Sequence, residues 1–449
     1  MILKSTITVL IVLTELLVAT TIRSQAVSYT LQQAQDYAVM NSYAVKNAQY
    51  DVAIANKKVK ENLSYGFPQI NGSVDYNYFI ALPTSLIPAE FFPDGVPGEY
   101  IEVQFGTKNN MTAGITLNQL IFDGRYFVGL QYAQIYKQLS EESLQKSEQD
   151  IKENVTRTYY LILVGEEALG VLDSTLKILE KTRYETGEMY KEGFAEKTDY
   201  DQLTLTVANI ENSVNSVKRQ NEIGYQLLKY QMGIPIDKPI ELAETLDELI
   251  EKASVEALLD QPFNLEQHID FKLISSQEKM KGLSLQNEKA AYYPAFTGFL
   301  SVQGNAQRNE FNFFEPEQPW FLTSVTGVSL SVPIFSSGYR RSRMSQAKID
   351  IEKIQNIKEQ VSEGLRLSVS QSRSEFKTAL ENYMREKQNV ELSLEIYQRT
   401  LAKYEEGLAS SIELTQQHNQ FFDSERKYFE TALSLLNAKN KLDKALGNY

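Results

Sequence analysis

The chain has 449 residues, 45 basic and 58 acidic side chains for a formal net charge of −13, and no cysteine. The missing cysteine excludes disulfides, thiolate metal sites and a cysteine nucleophile. The acidic excess is spread along the chain with no basic stripe, which excludes nucleic acid as a partner.

Residues 1–26 read MILKSTITVLIVLTELLVATTIRSQA. Lys4 supplies a charged start, Ile7 to Ala19 is mostly apolar but interrupted by Glu15, and Ser24-Gln25-Ala26 offers small residues for cleavage. That pattern predicts a signal peptide over 1–26 and export. Beyond it the longest apolar run is Tyr159 to Val164, far short of the ~18 residues that a membrane-spanning helix needs. An exported chain of this kind either is soluble or crosses a membrane as β-strands.

Residues 29–64 are predicted to be helical, with Leu31, Ala34, Ala38, Val45, Ala48, Val52, Ala55 and Val59 at helical spacing. Tyr65-Gly66-Phe67-Pro68 ends this helix. The period then changes to two. Ile70, Gly72, Val74, Tyr76 and Tyr78 alternate with Asn71, Ser73, Asp75 and Asn77, as in a strand with one apolar and one wet face. Residues 81–110, with Pro83, Pro88, Pro93 and Pro97, are expected to be a long ordered loop. Met111, Ala113, Ile115 and Leu117 then mark a second strand, about 111–122. Long helices are predicted over about 124–190 and 198–232, the second ending at Gly233 and Pro235.

Residues 241–262, with an acidic short helix from Glu241 to Glu256, form a joint. A helix over about 264–290 leads to Pro294. Strands follow over about 295–304 and 323–334, where Phe296, Gly298, Leu300 and Val302, then Val328, Leu330 and Val332, mark the apolar face. An aromatic loop containing Phe311, Phe313, Phe314, Trp320 and Phe321 lies between them. Helices over about 338–406 and 412–446 complete the chain.

The order of elements occurs twice. Gly124 to Gly193 and Gly338 to Gly407 are both 69 residues, and each first glycine is followed nine positions later by an alanine, Ala133 or Ala347. An offset of 214 lays Tyr190 on Tyr404, Gly193 on Gly407 and Asp199 on Glu413. Each long helix would span roughly 100 Å, more than a compact domain buries. The expectation is an internal duplication, with a first repeat at 27–240 and a second at 263–449.

Four strands cannot close a barrel, and open sheet edges are not tolerated in lipid. Two chains would supply eight strands and three would supply twelve, enough for a lumen. Polar residues on one face, with Tyr76, Tyr78, Phe122, Phe299 and Phe335 near strand ends, fit a lipid-facing barrel with aromatic girdles. A soluble sheet packed on one face is the alternative.

With these features the chain resembles the TolC family of bacterial outer-membrane efflux proteins. The resemblance is carried by Pro68 and Pro294 at the helix-to-strand turns, by the strand exits IFDG and IFSSG, and by the tips YKEGFAEKTD and YEEGLASSIE. It implies an α+β membrane protein in which long antiparallel helical hairpins form a periplasmic tunnel. Four strands per chain would join a trimeric twelve-stranded barrel in outer-membrane lipid. The function implied is the exit duct of a tripartite efflux or type I secretion system, docked to a periplasmic adaptor and an inner-membrane pump. Gly193, Phe194, Gly407 and Leu408 would form the adaptor-docking tips, and Thr198, Asp199, Tyr404 and Glu413 the tunnel constriction. Ala409 stands where some members carry an arginine, and Gln416 where a second acid can follow Glu413. A periplasmic coiled-coil scaffold without a pore is the competing reading.

No enzymatic role and no cofactor is expected. No glycine-rich phosphate loop, nucleophile elbow or HExxH occurs. His268 and His418, the only histidines, are expected to be solvated helix residues rather than metal ligands.

Overall fold

The computed structural model describes residues 27–253 and 258–449. The signal-like segment therefore lies outside the described residues. Helices are α1 (Leu31–Asn41), α2 (Tyr43–Ser64), α3 (Gly124–Lys191), α4 (Lys197–Met232), α5 (Leu246–Ala253), α6 (Ile269–Ala290), α7 (Tyr339–Glu405) and α8 (Ser411–Leu446). Strands are β1 (Val27–Tyr29), β2 (Gln69–Tyr78), β3 (Thr84–Pro88), β4 (Tyr100–Gln104), β5 (Asn109–Phe122), β6 (Ile240–Leu242), β7 (Ala295–Arg308) and β8 (Phe321–Ser331). The chain divides into two units. Among the described residues one comprises 27–52, 140–253, 258–274 and 357–449, the other Ala53–Leu139 and Ser275–Asn356.

The unit containing Ala53–Leu139 and Ser275–Asn356 carries a four-stranded sheet of order β2-β5-β7-β8, every neighbour antiparallel. β2 and β8 are its outer strands. Where the sequence suggests a plain loop over 81–110, β3 and β4 pair as a short hairpin, Thr84 opposite Gln104 and Pro88 opposite Tyr100. Pro88 is the last residue of β3, at the end of the pairing, where its missing N–H costs little. A cluster of rings closes one end of the sheet. Tyr76 meets Phe311 at 5.5 Å and Phe313 at 6.0 Å, both edge-on, and the Trp320 indole donates to the Phe313 carbonyl at 3.2 Å.

The other unit is helical. Its core gathers Tyr159, Ile162, Leu228, Met232, Phe376, Leu435, Leu436 and Leu442, all fully buried or nearly so. β1 pairs in parallel with β6, and α5 turns Leu246, Leu249, Ile250 and Ala253 inward while its acids stay in water.

The single helix expected over 29–64 is two helices. α1 opens with a capping box in which Thr30 and Gln33 bond each other's backbone N–H groups. It stops at Ser42, whose backbone is extended (φ −61°, ψ 147°) and whose hydroxyl accepts from the Val45 N–H at 3.4 Å, starting α2. Serine competes locally with helix in this way. Gly233 packs against the break in the left-handed conformation (φ 73°), so close that a Cβ there would lie 2.4 Å from the Asn41 carbonyl oxygen. The helix expected from 264 likewise opens as a 3-10 turn, Leu265–Gln267. His268 then starts α6, its Nδ1 accepting from the Asp270 N–H at 3.3 Å.

Candidate functional site

Two places carry the functional argument, the sheet and the turns that join the paired long helices. In the sheet, register aligns like with like across β2, β5 and β7, whereas β8 sets Thr326 and Ser324 on the apolar face and Val325 and Phe321 on the other. One face stacks Ile70, Leu117 and Leu300 in one row, Gly72, Ile115 and Val302 in the next, and Val74, Ala113, Gly304 and Leu322 in a third. The opposite face aligns Asn71 with Thr116 and Ser301, and Asp75 with Thr112 and Asn305. Hydroxyl and amide groups bond across strands there. Thr116 and Ser301 lie 3.2 Å apart, Thr112 donates to Asn305 at 3.0 Å, and Asn305 donates to Thr323 at 3.4 Å. Away from the ring cluster, which buries Met111 and Ala306, the apolar face is open: Ile70, Val74, Val328 and Leu330 are all exposed.

A register shift between Leu120 and Phe122 sets Phe122 opposite Phe296, on the apolar face. Phe299 differs from the girdle role expected of it. It falls on the hydroxyl-bearing face, and its ring covers Gly327, where a Cβ would lie 2.9 Å from the phenyl Cζ. A glycine opposite a phenyl ring is the usual way such a ring finds room on a sheet.

At the first turn α3 ends in a Schellman pattern. Gly193 is left-handed (φ 81°), and the Phe194 N–H donates to the Met189 carbonyl at 2.8 Å. The second turn repeats this with Gly407 (φ 71°) and the Leu408 N–H on Lys403 at 2.7 Å. Phe194 and Leu408 then project into solvent, 80% and 77% exposed.

The four residues of the expected constriction separate into different roles. Asp199 completes a capping box at the start of α4, accepting from the Glu196 N–H at 3.1 Å. Its other oxygen accepts from the hydroxyl of Ser411, the first residue of α8. Thr198 bonds the Glu196 carboxylate at 3.1 Å. The Tyr404 hydroxyl lies 2.7 Å from that of Thr186, not on Asp199. Burial, and to a lesser extent the nearby Asp199 charge, pushes the Tyr404 hydroxyl above its usual range. Glu413 is exposed in the first turn of α8, its N–H on the Ser410 hydroxyl at 3.2 Å. The structure thus joins the two turns through Thr186–Tyr404 and Asp199–Ser411, and leaves Thr198 and Glu413 outside those contacts. Tyr190 is exposed, Ala409 half-buried and Gln416 exposed. Thr186 and Ser411, both buried, were missed in the sequence because lone hydroxyls carry no spacing signal.

Neither histidine is solvated. His268 is 6% exposed and His418 1%. His268 is a helix-start residue and His418 a seam residue held by aromatic rings. His418 lies edge-on to Tyr397 at 5.6 Å and stacks on Phe422 at 6.4 Å. Burial lowers the pKa of both. Among the described residues no cluster of His, Asp and Glu could hold a metal, and no helix is long and apolar enough to cross a membrane.

This combination of one antiparallel sheet with two long helical hairpins is the fold of outer-membrane channels. The chain superposes on CusC with a TM-score of 0.73 at 14% identity, covering 94% of this chain and 93% of that one. It superposes on the CmeC outer membrane channel of Campylobacter jejuni with a TM-score of 0.69 at 15% identity, covering 93% and 85%. For the outer membrane protein VceC of Vibrio cholerae the values are 0.67, 13%, 93% and 96%. No curated protein matches the chain in sequence. Residues 284–448 match the family model described as outer membrane efflux protein. The resemblance to the TolC family of outer-membrane efflux proteins is thereby borne out.

Proposed function

We propose that the chain is one protomer of a homotrimeric outer-membrane exit duct. Three four-stranded sheets would join edge to edge, β8 of one protomer to β2 of the next, as a twelve-stranded barrel. The carrying observation is the sheet itself. Across β2, β5 and β7 one face is apolar and largely exposed, the other carries a ladder of hydroxyl and amide groups, and both outer strands offer unpaired backbone at the edge. Closure satisfies those edges, presents the apolar face to lipid and turns the ladder to a wet lumen. β2 has ten residues and β8 eleven, lengths suited to tilted strands crossing a bilayer.

The two repeats would supply equivalent hairpins to a periplasmic tunnel, with 241–262 as the equatorial joint. Phe194 and Leu408, held outward by their left-handed glycines, would dock a periplasmic adaptor serving an inner-membrane pump. Tyr404, Asp199, Thr198 and Glu413 would shape the narrow end of the tunnel, and the chain would transport solutes rather than catalyse a reaction.

Light scattering and circular dichroism on the detergent-solubilised protein, followed by planar-bilayer recording, test this reading. Trimers with β-content that conduct are expected. A stable monomer keeping its β-content, or trimers that insert without current, would point instead to a scaffold.

A further inference from the structure

The helical unit contains a cavity of about 470 Å³ where α3, α4 and α8 meet. The glycines in its walls are packed against neighbours: a Cβ on Gly165 would lie 2.0 Å from the Asn221 Oδ1. Gly165 and Ala168 form one wall, and Gly224 packs so tightly on Ile162 that a Cβ there would come within 2.9 Å of its Cγ1. Phe422 and Phe429 supply ring surface, and most of the remaining lining is apolar.

Polar side chains on α4 and α8 interrupt it, among them Asn221 and Glu425. Glu425 lines the cavity and is 6% exposed. Burial raises its carboxyl to about 7, and among the described residues it has no hydrogen bond or ion pair. The Asn221 side-chain amide nitrogen is buried without a hydrogen-bond partner among the described residues. Arg426 and Glu430, also on α8, satisfy each other at 2.7 Å. The lining residues on α3 and α4 carry no charge. An acid buried without a partner costs stability that an apolar residue of the same size would not, and pairing on ligand binding would remove that cost.

We propose that this cavity binds a small aromatic molecule bearing a protonated amine. The ammonium would donate to the Glu425 carboxylate and the aromatic body would lie against Phe422 and Phe429, with an acceptor on the ligand meeting the Asn221 amide. Aromatic rings and a desolvated carboxylate together favour an organic cation over a neutral or anionic molecule. The lining comes entirely from the helical unit of one protomer.

Isothermal titration calorimetry of the detergent-solubilised full chain with 2-(1-naphthyl)ethylamine tests the proposal. 2-(1-Naphthyl)ethanol serves as the neutral control. At pH 8 the amine should bind saturably at one site per protomer. Glu425→Gln should weaken it at least tenfold while leaving the alcohol unchanged, and Ser216→Phe, which fills the cavity, should abolish both. For the wild type, amine affinity should fall between pH 8 and pH 5.5 as Glu425 takes up its proton, and Glu425→Gln should lose that dependence. Absence of saturable amine binding would overturn the proposal, as would equal affinities in wild type and Glu425→Gln or binding unaffected by Ser216→Phe.

Discussion

The sheet makes its sharpest demand at Val74. It stands sixth of the ten residues of β2 and shares a row with Ala113, Gly304 and Leu322. At 70% exposure it is largely open within the protomer, so an arginine there has room to extend from the sheet. The whole effect of Val74→Arg must come from the medium facing it. If that medium is the bilayer midplane, the cost is about 2–4 kcal/mol per protomer, incurred three times in a trimer. Leu330 lies on the same face but next to the end of β8, paired with Phe296. Depth dependence therefore lowers the expected cost of Leu330→Arg to about 0–1 kcal/mol. Ser73, Val74's neighbour, lies in the row Gly114, Gln303 and Thr323 of the opposite face. Ser73→Arg should assemble normally and change conductance instead. Urea titration of protein refolded into lipid vesicles, with trimer yield read on native gels, ranks the three. The expected order of destabilisation is Val74→Arg, then Leu330→Arg, then Ser73→Arg. Equal stabilities for Val74→Arg and Ser73→Arg would refute the assignment of faces and with it the barrel.

At the helix turns, a Cβ on Gly193 or Gly407 would meet open space. Alanine there should cost only the left-handed backbone term, about 1–2 kcal/mol, and thermal unfolding should show retained folding while adaptor pull-down weakens. Gly233→Ala, with its Cβ against the Asn41 carbonyl, should cost clearly more in the same melt. Single-channel recording separates the acids. Asp199→Asn should loosen the Ser411 contact and raise open conductance with selectivity kept, whereas Glu413→Gln should lower cation preference, and unchanged currents in both would leave them as helix-start residues. For Glu425, the folded-state pKa of about 7 exceeds its ordinary 4.5, so its contribution to stability is full below about pH 4.5 and is lost as pH rises through 7. Glu425→Gln should match wild type at pH 4 and exceed it at pH 8 by at most about 3 kcal/mol, measured by thermal unfolding of the helical signal. Equal melting at both pH values would show that the carboxyl is not desolvated.

Strands and long helices were legible because each rests on many residues keeping one period. The alternation from Ile70 to Tyr78 became β2, and the two 69-residue glycine intervals became α3 and α7 with their left-handed ends. What failed rested on one or two residues. Ser42 splits a helix through its own hydroxyl and through the approach of Gly233, a residue distant in sequence. The β3–β4 hairpin was obscured by prolines that stand at its ends or outside its pairing. At the helix turns the sequence matched Asp199 to Glu413 by offset, yet Asp199 is occupied by a capping box and Ser411 while Glu413 faces water. Equivalent positions in two repeats need not keep equivalent partners.

The histidines show how spacing can outweigh polarity. Along α8, Leu414, His418, Phe421, Glu425, Tyr428, Ala432 and Leu435 step by alternating fours and threes. Along α4, Leu203, Val207, Ile210, Val214, Val217, Asn221, Gly224 and Leu228 do the same. A 3.5-residue period marks the inward seam of packed helices, and α4 and α8 contact each other. His418, Glu425 and Asn221 therefore face inward by position, whatever their polarity, and burial of the first two follows. Polar residues in such a seam fix register at a cost in stability, because a slipped pairing would set a charge or an amide against leucine. Long helices with a repeating seam can slide by a heptad without losing apolar contact, so a few polar seam positions give them one alignment. That constraint explains why polar side chains sit inside. It does not explain why Glu425 and Asn221 border a cavity flanked by glycines, and a ligand for that space accounts for both.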